Sequence, residues 1–143
     1  MKTLIQTIVS VLILTNLTSC KKDDDTPLTT CEDKVIISAS EYLNAPDHHL
    51  TINNIEIKGD CLVIDFGSSG CDGSTWVLKL IDSDVMIETY PPIRNLRLSL
   101  KNEEVCDAYF TKEVSYDISK LQVDGDKVIL NIKGFDGLVW YEY

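Results

Sequence analysis

The chain predicts an all-β fold: an antiparallel β-sandwich, immunoglobulin-like in outline, of seven to nine strands. Three observations lead there. Short apolar runs, many of them alternating, recur from residue 34 to the C-terminus. Between them fall clusters of Gly, Asp, Asn and Pro at the intervals that turns require. No stretch sustains a 3.6-residue apolar period for more than about two helical turns.

Taken in order, residues 34–38 hold Val35, Ile36 and Ile37 in succession and make the first expected strand. Residues 41–50 carry Asn44, Pro46, Asp47 and the pair His48-His49, and read as a loop. Residues 52–58 and 61–66 form a hairpin about Gly59-Asp60, with Leu62, Ile64 and Phe66 inward. Residues 67–74, rich in Gly and Ser, are the longest irregular stretch. Residues 75–82 place Trp76, Leu78 and Leu80 on one face. Asp82-Ser83-Asp84 turns the chain into a weaker strand at 85–89, ended by Tyr90-Pro91-Pro92.

Residues 93–101 alternate cleanly, Leu96, Leu98 and Leu100 opposed to Asn95, Arg97, Ser99 and Lys101. An acidic loop follows at 102–107. Further strands are expected at 111–118 and at 127–133, the latter with Val128, Leu130 and Ile132 inward. After a turn at Phe135-Asp136-Gly137, a last strand runs over 138–143. Alternation there sends Trp140 to the core and leaves Tyr141 and Tyr143 as a half-exposed edge.

The net charge is −10 at pH 7. Residues 31–143 carry all of it, because Lys2, Lys21 and Lys22 balance Asp23, Asp24 and Asp25 in the first 30 residues. Such a surface argues against nucleic acid or anionic headgroups as partners and suits cations or basic proteins. Residues 31–143 are the length of one domain, long enough to bury a core.

Residues 1–19 have the makeup of an export signal. Lys2 is followed by a nearly unbroken apolar or hydroxylic run to Thr15, shorter than the roughly 20 residues of a membrane span. The run closes on Leu17-Thr18-Ser19-Cys20, which resembles the lipobox of bacterial lipoproteins. That resemblance implies cleavage before Cys20 and a diacylglycerol on its thiol, often with a further acyl chain on the new amino group. Two or more chains anchor a protein stably. Residues 20–30 then form a charged tether, and Lys21-Lys22-Asp23-Asp24-Asp25 resembles the acidic signal that sends Bacteroidota lipoproteins to the cell surface. The mature chain is therefore expected on the outer membrane, lipid-anchored, on the cell surface rather than the periplasmic face. The hairpin, the acidic turn and Gly70-Cys71 look like small exported lipoproteins of the same bacteria, a likeness that implies no activity.

With Cys20 lipidated, Cys31, Cys61, Cys71 and Cys106 remain, an even number that reads as two disulfides in an exported chain. Three pairings exist. Cys61 opens a strand and Cys71 lies in the loop beyond it, too far for the ~7 Å Cα limit of a bridge. The favoured pairing is Cys31–Cys61 with Cys71–Cys106.

Reactive constellations are sparse. Residues 67–74 lack the Gly-Lys-Ser/Thr ending of a phosphate loop. His48 and His49, adjacent in an extended loop, point apart and read as a solvent-exposed pair. No Gly-x-Ser-x-Gly occurs. A Cys71–Cys106 bridge would gather Asp72, Glu104 and Asp107 into a candidate calcium site. No other cofactor is expected beyond the covalent lipid on Cys20. The expectation is a non-enzymatic binding or assembly module with a protein or glycan partner and no nucleic acid. The alternative is a small envelope hydrolase or inhibitor with active groups on loops.

Overall fold

The structure, a computed structural model, describes residues 30–143. The signal segment, Cys20 and the tether as far as residue 29 lie outside the described residues. The elements are β1 (Asp33–Lys34), β2 (Ile36–Ile37), α1 (Ala39–Asn44), β3 (Thr51–Lys58), β4 (Cys61–Gly70), β5 (Val77–Ile87), β6 (Ile93–Lys101), β7 (Ala108–Asp117), a 3-10 turn (Ser119–Leu121), β8 (Lys127–Ile132) and β9 (Leu138–Glu142). The strands form two sheets, ordered β1-β7-β4-β3 and β2-β5-β6-β8-β9. One apolar cluster draws on both: Leu62, Ile64, Phe66 and Tyr116 from the first, and Leu80, Leu96, Leu98, Val128, Leu130, Ile132 and Tyr141 from the second.

The β-rich class stands, but the purely antiparallel pairing does not. β1 pairs with β7, β2 with β5 and β6 with β8 in parallel. The β6–β8 case has a simple cause. After β6 the chain crosses to the other sheet as β7 and crosses back as β8, so two reversals restore the original direction. The expected first strand is divided between the sheets: β1 and β2 flank Val35, which is buried while its amide donates to Asp117 O at 3.1 Å.

Three local expectations also give way. Residues 41–44 of the expected loop are helical, forming α1 with residues 39 and 40, and Ser38 caps the helix by accepting from the Glu41 amide at 3.2 Å. Ser-x-x-Glu is a helix-start signal, but six residues are too few for an apolar helical period to show beside it. The turn at 82–84 is a distortion inside β5, where register shifts between Asp82 and Met86 and Asp84 takes φ 58°. Asp82 is fully buried there and holds Arg94 through two bonds of 3.0 and 2.8 Å. Finally, residues 67–70 belong to β4, paired with β7 as far as Gly70↔Ala108.

Trp140 and Tyr141 exchange the places expected of them. Val128 faces Tyr141 across β8 and β9, so Tyr141 shares the core face and is 0% exposed, whereas Trp140 is 52% exposed. A buried Tyr needs a partner for its hydroxyl. Tyr141 donates to Asp60 Oδ1 at 2.5 Å and accepts from Gln122 Nε2 at 2.8 Å. Burial, then the bond to Asp60, push its phenol above the usual range.

Candidate functional site

The two disulfides are Cys31–Cys61 and Cys71–Cys106, with Cα separations of 5.6 and 4.8 Å. The spacing argument holds for its stated reason. β4 runs the whole way from Cys61 to Gly70, roughly 30 Å at the rise of a strand, so Cys71 is at the opposite end of the sandwich from Cys61.

The second bridge joins residues 71–75 to the acidic loop, as expected, but the carboxylates do not converge on a cation. Glu104 turns inward onto the backbone. Its Oε2 accepts from the amides of Cys71, Asp72 and Gly73 at 2.6, 3.3 and 3.0 Å. Its Oε1 accepts from the Thr75 hydroxyl at 2.9 Å and the Thr75 amide at 3.4 Å. Partial desolvation works to raise its pKa, yet these donors outweigh it and hold the group down to about 2. Asp72 is engaged by the Ser74 amide at 2.8 Å. Asp107 is exposed. Among the described residues no three Asp, Glu, His or Cys side chains stand together as a metal requires. Of the residues expected to gather around calcium, Glu104 closes its own loop, Asp72 accepts from the Ser74 amide and Asp107 stands exposed.

Small residues permit this closure. Gly73 sits at φ +66°, and a Cβ on Gly70 would collide with the Glu104 carboxylate. Beside the loop, Trp76 stacks on Phe110 at 4.9 Å, and Lys112 Nζ lies over both rings while donating to Gly73 O at 2.7 Å. At this end the Glu104 carboxylate is fully engaged by its own loop, while the buried Trp76 Nε1 has no hydrogen-bond partner.

His48 and His49 are both exposed. They nevertheless differ. His48 Nδ1 accepts from the Asn102 amide at 2.6 Å, which ties the segment after α1 to the end of β6. The His49 carbonyl accepts from the Ser68 hydroxyl at 2.7 Å.

The outer face of the five-stranded sheet was not foreseen from the sequence as a site. Half of it is covered. α1 and the segment after it lie over Ile81, Arg97 and Ser99, all buried. Arg97, 4% exposed, donates to Glu41 O at 3.3 Å and Ala45 O at 2.6 Å, and Ser99 donates to Pro46 O at 2.6 Å. The alternation that pointed Arg97 and Ser99 outward was right about the face and silent about its cover.

The other half carries no helix. Ile87 faces Ile93, Ile93 faces Ile129 and Ile129 faces Trp140 across four adjacent strands. Cross-strand neighbours share a face, so these four form one transverse apolar row. Its centre is shielded, Ile93 being half-buried and Ile129 buried, while Ile87 and Trp140 at its ends are exposed. Leu138, beside Asn131, extends it and is exposed. Between this row and α1 runs a groove of about 320 Å³ lined by Ala39, Tyr42, Leu43, Ser83, Val85 and Asn95. The exposed members of the extended row are thus Ile87, Leu138 and Trp140. One available signal could have found it: Ile87, Ile93 and Ile129 all sit opposite the core-facing residues of their strands.

No family model matches the chain, and none of the curated proteins matches it by sequence. Solved structures do share its fold. A NigD-like immunity protein from Bacteroides caccae superposes with TM-score 0.59 at 12% identity, over 78% of this chain and 59% of that one. A DUF1344 protein of unknown function from Bacteroides vulgatus gives TM-score 0.52 at 17% identity, over 78% of this chain and 56% of that one. The chain thus spans less than two-thirds of either relative's length, and at these identities the likeness is one of fold.

Proposed function

We propose that the mature protein is a non-enzymatic binding module, lipid-anchored through Cys20 on the outer membrane and facing the cell exterior, that holds a protein partner against the outer face of its five-stranded sheet. The observation that carries this reading is the row Ile87–Ile93–Ile129–Trp140, its ends exposed beside a half of the same face that α1 covers. A Trp within an apolar patch is the residue type that dominates binding energy at interfaces. The two disulfides agree with an oxidising compartment outside the cytoplasm. An immunoglobulin-like outline suits the same reading, since a two-sheet scaffold presents a rigid flat face. The surrounding charge of −10 selects a partner with a basic rim. The likeness to a NigD-like immunity protein concerns fold and carries no part of the reading.

Photo-crosslinking on intact cells tests it. A photoreactive residue replacing Trp140 should give a discrete protein adduct, and one replacing Glu56 on the opposite sheet should not. Equal labelling from both positions, or none from position 140, would sink the proposal.

A further inference from the structure

A second feature lies elsewhere, at the edge of β6, and owes nothing to the apolar row. β8 accompanies β6 only as far as Leu96↔Ile132. The Lys133 amide makes the last bond of that ladder, to Leu96 O at 2.8 Å. The segment after α1 takes over farther along, the His48 amide donating to Leu100 O at 3.1 Å. Backbone groups of a strand alternate sides with period two. Leu96 and Leu100 both point to this side, so Leu98, midway between them, does too. Among the described residues no backbone group on this side pairs with Leu98.

The interruption opens into a cleft of about 270 Å³ lined by Asp47, His48, His49, Leu50, Arg97, Leu98, Lys133 and Gly134. In an acidic protein it gathers both histidines, one of the two arginines and a lysine. Lys133 Nζ donates to Asp47 Oδ2 at 2.7 Å, and an ammonium has three donors. His48 accepts at Nδ1 from Asn102, so the neutral ring carries its proton on Nε2. Arg97 adds fixed positive charge behind the wall, with its Nε buried and unpartnered. The one acid present, Asp47, is split between Lys133 and Arg97, the latter at 3.4 Å. Leu50, Leu98 and Gly134 supply little polar side-chain competition at the floor.

We propose that this cleft binds a small carboxylate, received by the Leu98 amide, the Lys133 ammonium and the His48 Nε2–H, with the Leu98 carbonyl free to accept an N–H next to that carboxylate. The fitting chemistry is an N-acylated amino acid, either as a free molecule or as the C-terminus of a peptide. The volume suits the former or the last residue of the latter.

NMR titration of the disulfide-bonded chain decides the matter, with N-acetylglycine as probe, acetate as the bare carboxylate, N-acetylglycinamide as the uncharged control and a C-terminally free tripeptide to separate the two sources. N-Acetylglycine should move the Leu98 amide and the His48 ring signals saturably, and Lys133→Ala should weaken binding about tenfold, the loss of one charge-assisted bond. Lys133 is exposed, so the variant keeps its fold; Lys133→Arg should restore most of the affinity. Tighter binding of the tripeptide than of N-acetylglycine would assign the site to peptide termini, and the reverse to free acids. Equal shifts with N-acetylglycinamide, or N-acetylglycine shifts indifferent to Lys133→Ala, or no saturable shift at all, would overturn the proposal. None of these results bears on crosslinking from position 140.

Discussion

The two halves of the outer face of the β2-β5-β6-β8-β9 sheet are built on the same strands and finished in opposite ways. Over the covered half, beside the buried Ile81, the strand residues Arg97 and Ser99 are polar, and their burial is offset by donation to carbonyls of α1 and the segment behind it. Over the open half, the residues in equivalent outward positions are Ile93, Ile129 and Trp140, and no helix of the described chain lies across them. Local hydrophobicity would have assigned the covers the other way round. What decides is the supply of partners: short irregular backbone brings many carbonyls, so the surface beneath it must be rich in donors. An apolar surface offers irregular backbone nothing, and here its ends, Ile87 and Trp140, stay exposed.

The largest effect expected from this contrast is on stability. Arg97→Ala removes the donor to two carbonyls under α1 and should cost about 2–4 kcal/mol, since each buried unpaired acceptor costs on the order of 1–3 kcal/mol. Urea denaturation measures it. A loss below that of an ordinary surface substitution would mean that α1 holds its place without Arg97, and the comparison would fail.

A smaller, pH-dependent effect is expected at the opposite end. Glu104 has a folded pKa of about 2, below the ordinary value of 4.5. Its contribution is therefore complete above about pH 4.5 and lost as pH falls toward 2. Glu104→Gln should lower the urea midpoint at neutral pH, and the gap from wild type should close as the buffer is taken from pH 5 to about 2. Asp47 and Asp117, also held low, titrate in both proteins and cancel, whereas Asp72, which the Glu104 charge works to raise, falls slightly further in the variant and opposes the effect only weakly. A gap that stays constant with pH would show that the carboxylate's charge is not what the amides of residues 71–75 hold.

The smallest stability effect belongs to the open half. Trp140→Ala should change stability by under about 1 kcal/mol, because half of the ring already meets water. A loss as large as that of Arg97→Ala would mean the ring is packed as core and the two halves are not different in kind.

Much of the fold was legible residue by residue. Leu96, Leu98 and Leu100 lie on the core face as alternation required, and so do Val128, Leu130 and Ile132. The candidate surfaces were far less so. The acidic loop and Cys71 were rightly brought together, but whether Glu104 would turn outward to a cation or inward to amides depended on the conformation of residues 71–75, and composition does not carry that.

From its own residues the chain determined the β-rich class, the inward faces of strands such as β6 and β8 and the exclusion of a Cys61–Cys71 bridge. Each of these follows from periodicity or from the length of a single strand, quantities that are local. Only the tertiary structure decided the parallel pairing of β6 with β8, the cover over Arg97, the break beside Leu98 and the orientation of β9. That last case shows the reason. Alternation tells which residues share a face but leaves a twofold choice of which face is buried, and Tyr141 rather than Trp140 went inside because Asp60, 81 residues earlier, stood ready to take its hydroxyl.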